Sequence, residues 1–203
     1  MAKRRRRKVK KFSAILKQIW YFIWEDDSIW SWIVNIILAF VIIKFLVYPG
    51  LGLVMGTSHP IVAVVSGSME HDSNFDNWWG EQNNFYSNLN ITKDQFKDFR
   101  FRNGFNTGDI MLLTGTESDN IKTGDVIVYI SNMPDPIIHR VVKVTKQEDQ
   151  YFFQTKGDHN TASNTNELNV GEEQIIGKAL FKVPLLGWIK IGFVKILKLV
   201  SIK

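Results

Sequence analysis

The chain of 203 residues contains no cysteine, which removes disulfides, thiolate zinc sites, iron–sulfur clusters and a cysteine nucleophile together. Its four histidines, at positions 59, 71, 139 and 159, show neither H-x-x-x-H nor H-E-x-x-H spacing, so neither a metal site nor a cofactor is expected. No repeat of fixed period is present. A basic domain surface is lacking too. Residues 1–11 (MAKRRRRKVKK) hold eight of the 25 Lys and Arg, leaving 17 against 20 acids elsewhere. The net charge of +5 therefore belongs to one short tail, and nucleic acid is not an expected partner. The 45% hydrophobic content excludes wholesale disorder, and the length suits one domain with a tail or an anchor.

What is present begins with the basic tail and a Trp/Phe-rich stretch that ends in Glu25, Asp26 and Asp27, together residues 1–28. Residues 29–48 follow, IWSWIVNIILAFVIIKFLVY, with 17 of 20 apolar. Twenty such residues cross a bilayer core as a helix. Trp30, Trp32 and Tyr48 mark the two interfaces, and Lys44 lies a turn from the nearer end, where its amine can snorkel. A buried core helix is the alternative. The run exceeds a signal peptide's apolar region and no A-x-A-like site follows, so an uncleaved anchor is expected. The eight positive charges of residues 1–11 precede it and none lies between Tyr48 and Lys93, which predicts a cytoplasmic N-terminus and an extracytoplasmic remainder.

From residue 61 the texture becomes short β-like runs between turns. Strands are expected near 61–65, 109–113, 125–130, 137–145, 151–155 and 175–183, within a domain covering 49–184. A polar, aromatic-rich insertion at 72–107 interrupts the pattern, with a short helix at 92–100. Residues 185–203, LLGWIKIGFVKILKLVSIK, carry four lysines, too many for a second span. An amphipathic helix lying in the membrane interface is expected there, a core helix of the domain being the alternative.

Three segments carry candidate chemistry. Ser66-Gly67-Ser68-Met69 ends an apolar run, and residues two apart in extended chain face the same side, so Ser66 and Ser68 could converge on one carbonyl. As a plain loop the segment would have no such role. His139 lies in Ile137-Ile138-His139-Arg140-Val141-Val142, sharing a face with Ile137 and Val141. It reads as a hydrogen-bonded core residue or as a general base. Asp158, in Lys156-Gly157-Asp158-His159-Asn160, reads as a turn cap or as the acid that orients an imidazole. His71, three residues from Ser68, is the rival base.

The order of anchor, S-G-S-M-E (66–70), G-D-V-I-V-Y (124–129), I-I-H-R-V-V (137–142) and T-K-G-D-H-N (155–160) closely resembles type I signal peptidases. The likeness is to the archaeal and endoplasmic-reticulum subclass, in which His-Arg-Val stands where typical bacterial enzymes carry a lysine. It runs from about Tyr48 to about Trp188. The resemblance implies a mainly β catalytic domain behind one transmembrane helix. It also implies Ser68 as nucleophile, His139 as general base and Asp158 as acid. The Ser68 backbone N–H would form an oxyanion hole with help from the Ser66 hydroxyl, and Gly124 and Asp125 would be structural support. One departure stands out. Many relatives place a second aspartate about six residues after the first, whereas this chain has Asn164 there and Glu167 as the nearest acid downstream. Asp158 orients the imidazole, or Glu167 reaches in, or activity is reduced.

The expectation is a membrane-bound serine endopeptidase that removes signal peptides from exported preproteins, in the cell membrane or the endoplasmic-reticulum membrane. The family's preference for small residues at −1 and −3 implies shallow apolar pockets beside an extended substrate, whose backbone would add to a sheet edge, for which 61–65 is the candidate. The alternative, motivated by Asn164, is an impaired homologue acting as a binding subunit of a membrane complex.

Overall fold

The computed structural model describes residues 2–188, together with 191 and 192. Contacts divide the chain into one unit of Met1–Leu51 and another of Gly52–Lys203. In the first unit, the tail and the stretch after it form one helix, α1 (Ala2–Trp24). A turn follows, in which Asp26 Oδ1 accepts from the Ser28 N–H at 2.8 Å. Ser28 then caps α2 (Ile29–Ile42), its side chain accepting from the Ser31 N–H. Two of the polar residues inside the apolar run have partners on α1. Ser31 Oγ donates to the Phe22 carbonyl, and Asn35 Nδ2 to that of Ile23 at 2.9 Å. Both carbonyls lie in the last turn of α1, where no helical donor is left for them.

The helix does not stop at Tyr48 as expected. It passes through a π turn (Ile43–Val47) into α3 (Tyr48–Met55), and the whole run Ile29–Met55 is long and apolar enough to cross a membrane. Pro49 explains the π turn: its ring has no N–H and would collide with the carbonyl four residues back, a conflict that a locally widened turn relieves.

The second unit is built on a seven-stranded sheet with all neighbours antiparallel, in the order β1-β2-β7-β3-β4-β5-β6. The strands are β1 (Ile61–Ala63), β2 (Ile110–Thr114), β3 (Val126–Tyr129), β4 (Ile137–Gln147), β5 (Gln150–Lys156), β6 (Val170–Gly171) and β7 (Ile175–Val183). Six of them fall where the sequence predicts; the two-residue β6 does not appear in the sequence reading. β3 is buried on both faces, which is why its run reads as continuously apolar. Val126 and Val128 join Val64, Met69, Met111 and Leu113 in one core, while Ile127 and Tyr129 join Val141, Phe153 and Val170 in another.

Residues 72–107, between β1 and β2, supply a third cluster. α4 (Phe75–Asn88), capped by Asn74, and α5 (Lys93–Lys97), held by a Thr92–Gln95 capping box, pack Trp78, Trp79, Tyr86, Ile91 and Phe96 against Val142 of β4. The expected helix at 92–100 is thus real but shorter, and α4 was not anticipated. The expected amphipathic helix at 185–203 lies outside the described residues from 189 onward, 191 and 192 apart.

Candidate functional site

Ser68 follows β1 on a tight turn in which the Glu70 N–H donates to the Gly67 carbonyl at 3.0 Å. Beneath it Met69 is fully buried in the core, which fixes the turn on the domain. Ser66 Oγ stands 3.2 Å from Ser68 Oγ, so the two serines do share a side. His139, on β4 opposite Ile127 of β3, brings its Nε2 to 2.9 Å from Ser68 Oγ. These two residues are 71 apart in sequence and meet only because the sheet carries β4 beside the serine turn.

The group behind the imidazole is Glu167. Its Oε1 lies 2.6 Å from His139 Nδ1, off the line of a straight hydrogen bond but well within ion-pair range. Glu167 belongs to a short 3-10 turn (Thr165–Glu167), and its Oε2 accepts from the Asn164 N–H at 2.7 Å. Burial would raise its carboxyl, yet the His139 ring and the Asn164 amide outweigh that and hold it below the usual carboxylate range. An ionised Glu167 favours the tautomer with a proton on Nδ1, which leaves Nε2 free to accept from the Ser68 hydroxyl.

Asp158 is placed elsewhere, against the expectation that it orients the base. It is 0% exposed and engaged by Arg140, whose Nε donates to Oδ1 at 2.9 Å and Nη2 to Oδ2 at 2.6 Å. His71 Nε2 and the Tyr86 hydroxyl, each at 3.2 Å, complete its surroundings. Burial pushes the carboxyl up, but the Arg140 guanidinium and the His71 ring prevail and hold it well below its ordinary value. The reason for the displacement is alternation along β4: His139 and Arg140 point to opposite faces, and Asp158 lies on the arginine's side.

His71, the rival base, is stacked on Trp78 at 3.8 Å between ring centroids and pairs with Asp158 rather than Ser68. His59 meets Ser58 Oγ at 2.8 Å, and the exposed His159 lies 3.3 Å from Asp72. Gly124 takes φ +97° with Phe99 packed where a Cβ would stand, so only glycine fits its turn. Its carbonyl accepts from Arg140 Nη1 at 3.0 Å. Among the described residues no group of three or more His, Asp or Glu converges in a way that could hold a metal ion.

Ser68, His139 and Glu167 open into a cleft of about 540 Å³. One wall is Val62, Ala63 and Val65; the other is the approach to β4, from Met133 to Ile138. β1 is an edge strand. The Leu113 N–H donates to the Pro60 carbonyl and the Val64 N–H to that of Asp109, so even-numbered residues bond β2. The backbone groups of Ile61 and Ala63 therefore point away from β2, toward the open edge. The arrangement as a whole offers a hydroxyl beside an acceptor imidazole, a carboxylate behind it, and an unpaired strand edge along a mostly apolar groove. That combination suits acyl transfer on an extended peptide.

Sequence comparison finds signal peptidases. The signal peptidase complex catalytic subunit SEC11C of Homo sapiens is 26% identical over 153 residues, covering 72% of this chain and 63% of the relative. The signal peptidase complex catalytic subunit SEC11 of Yarrowia lipolytica is 26% identical over 155 residues, 73% of this chain and 71% of its own. Signal peptidase I W of Bacillus subtilis is 39% identical over a shorter 62 residues, 30% of this chain and 33% of its own. The chain thus spans a little under two thirds of the length of the mammalian relatives. No family profile matches it.

Proposed function

We propose that this chain, a relative of the type I signal peptidases of the archaeal and endoplasmic-reticulum kind, is itself a membrane-bound serine endopeptidase that removes signal peptides from preproteins. The observation that carries the reading is the contact series Ser68 Oγ–His139 Nε2 at 2.9 Å and His139 Nδ1–Glu167 Oε1 at 2.6 Å. In the proposed reaction Ser68 Oγ attacks the scissile carbonyl as His139 Nε2 takes its proton. The resulting imidazolium is stabilised by ionised Glu167. Collapse of the tetrahedral intermediate breaks the C–N bond, and His139 returns the proton to the departing amine. Water, deprotonated by the same imidazole, then hydrolyses the Ser68 ester and frees the enzyme. The Ser68 N–H and the Ser66 hydroxyl are the candidate donors to the oxyanion.

The substrate class follows from the groove and from the relatives together. A signal peptide cleavage site is extended chain with small side chains. It fits as an added strand on the open edge of β1, with its small residues against Val62, Val65 and the segment around Pro136. The helical run Ile29–Met55 is proposed as the bilayer anchor, with the basic tail in the cytoplasm and the chain after Met55 outside. Asn90-Ile91-Thr92 is the only N-x-[ST] sequon and Asn90 is exposed, so its glycosylation in a host that modifies exported chains tests that orientation.

A second reading, an impaired homologue acting as a binding subunit, was motivated by Asn164. The carboxylate of Glu167 on the imidazole supports the active reading instead. Cleavage of a signal-peptide-bearing preprotein by the full chain in membranes decides between them: activity in wild type and none in Ser68→Ala is the expected result. A wild-type chain with no activity above Ser68→Ala would leave the binding subunit as the better account.

A further inference from the structure

We propose that helix α4 is a brace for the reacting pair, in which Trp78, Gln82 and Tyr86 hold the turn at 156–159 against Ser68 and His139 and so act as positioning residues. The inference rests on the serine–histidine reading above and gives residues 72–107 a role in it.

The three residues are spaced four apart and therefore share one face of the helix. Each reaches a different atom of the same turn. Trp78 Nε1 donates to the Asp158 carbonyl at 3.1 Å, and the Tyr86 hydroxyl donates to Asp158 Oδ1 at 3.2 Å. Gln82 Oε1 accepts from Lys156 Nζ at 3.0 Å. Lys156 also donates to the Gly157 carbonyl and stands over the Phe85 and Tyr86 rings at 5.2 and 5.0 Å, which leaves its ammonium enclosed by α4 and the turn.

The other side of the turn touches the chemistry. The His159 N–H donates to the Ser68 carbonyl at 2.9 Å, and the Asp158 N–H to Met69 Sδ at 3.3 Å. At Gly157 a Cβ would stand 2.6 Å from the Ser68 carbonyl oxygen and 2.9 Å from His139 Nε2. With no slack between the turn and the pair, movement of one is passed to the other.

Covering the sheet does not require these polar atoms, since Trp79, Phe96 and Val142 already do that with apolar contacts. Burying an indole N–H, an amide and a phenol among aromatic rings is costly unless each finds a partner. Here all three partner one four-residue turn. A brace that fixes position accounts for that pattern, whereas a purely stabilising lid would be served as well by apolar side chains.

The test uses the full chain in membranes and a signal-peptide-bearing preprotein, measuring kcat, KM and the thermal midpoint for Tyr86→Phe, Gln82→Met, Trp78→Phe and Ser68→Ala. A misplacement near 1 Å costs about 100-fold in rate. The expected result is a kcat loss of roughly 10- to 100-fold in Tyr86→Phe and Gln82→Met, with KM nearly unchanged. The loss should persist well below the thermal midpoint. Combining Tyr86→Phe with Glu167→Gln should cost less than the product of the single losses, because both act through the Ser68–His139 geometry. If Trp78→Phe fails to fold, Tyr86→Phe, which removes one hydroxyl, carries the test. Wild-type kcat in the α4 variants beside a dead Ser68→Ala would overturn the brace and leave the peptidase reading standing. So would a loss that vanishes on cooling. An active Ser68→Ala would overturn that reading itself.

Discussion

Asp158 and Glu167 are two carboxylates buried to the same degree, 0% and 1% exposed, on opposite sides of β4, and their surroundings make them different reagents. Asp158 lies in a closed pocket under residues 72–107, beside a permanent cation, with a phenol and an imidazole at its remaining positions. Glu167 lies at the back of the open cleft with one ionic partner, His139, and one backbone N–H. A carboxylate matched to an arginine gains little when a nearby base takes up a proton. One whose ion-pair partner is that base gains at the moment the proton arrives. The difference separates a residue that holds the fold from one that can serve a reaction.

The largest expected effect breaks the comparison on the cleft side. Glu167→Ala should lower kcat by about 10³- to 10⁴-fold, the scale seen when the acid of a serine–histidine pair is lost, while leaving the thermal midpoint close to wild type. A smaller loss than in Asp158→Ala, measured on folded protein, would mean that the two roles are reversed. On the closed side, Asp158→Asn leaves Arg140 buried without its anion and should cost about 3–5 kcal/mol of stability, read by denaturant or thermal unfolding. Between these in sharpness is Ser66→Ala, for which a kcat loss of about 10²-fold or more is expected if its hydroxyl donates to the oxyanion. An unchanged rate would leave the Ser68 N–H as the donor.

Two pH series sharpen the contrast further. The Asp158 carboxyl is held below its unfolded value, so its contribution is complete above the ordinary carboxylate range and is lost as pH falls through the folded one. The stability gap between wild type and Asp158→Asn should be flat from pH 7 to about pH 5 and narrow below about pH 4. Lys156 behaves oppositely. Burial pushes it down to about 8, so below that pH the folded chain carries a costly enclosed charge. Between about pH 8 and 10 the unfolded chain binds the extra proton, and wild type should gain stability relative to Lys156→Met as pH rises. A gap independent of pH would show that the ammonium is better solvated than its burial implies.

Ser68 and His139 were legible in the sequence because each sits in a compact motif, Ser-Gly-Ser-Met and His-Arg-Val, whose neighbours determine its direction. Most strands were legible for a related reason: turn residues such as Gly124-Asp125 punctuate runs of β-branched side chains. Glu167 was named only as one of three possibilities, since its role depends on a long-range approach to His139 that no local period encodes. A local signal did exist. Asn164 and Glu167 have capping-box spacing, which turns the carboxylate back toward the chain that enters the cleft. α4 was missed because Gln82 interrupts its apolar face and Asn77, Asn83 and Asn84 make the segment read as polar. The spacing Trp78-Gln82-Tyr86 behind a capping Asn74 was the available sign, and its polar member is what made it look like loop.

Gly157 offers a practical handle on all of this. A single added methyl there would press on the Ser68 carbonyl and the His139 ring while every reacting side chain, and the groove along β1, stays in the sequence unaltered. Gly157→Ala is therefore a design for an inert captor: a chain that grips its clients without cutting them, and from which those clients could be recovered and identified by mass.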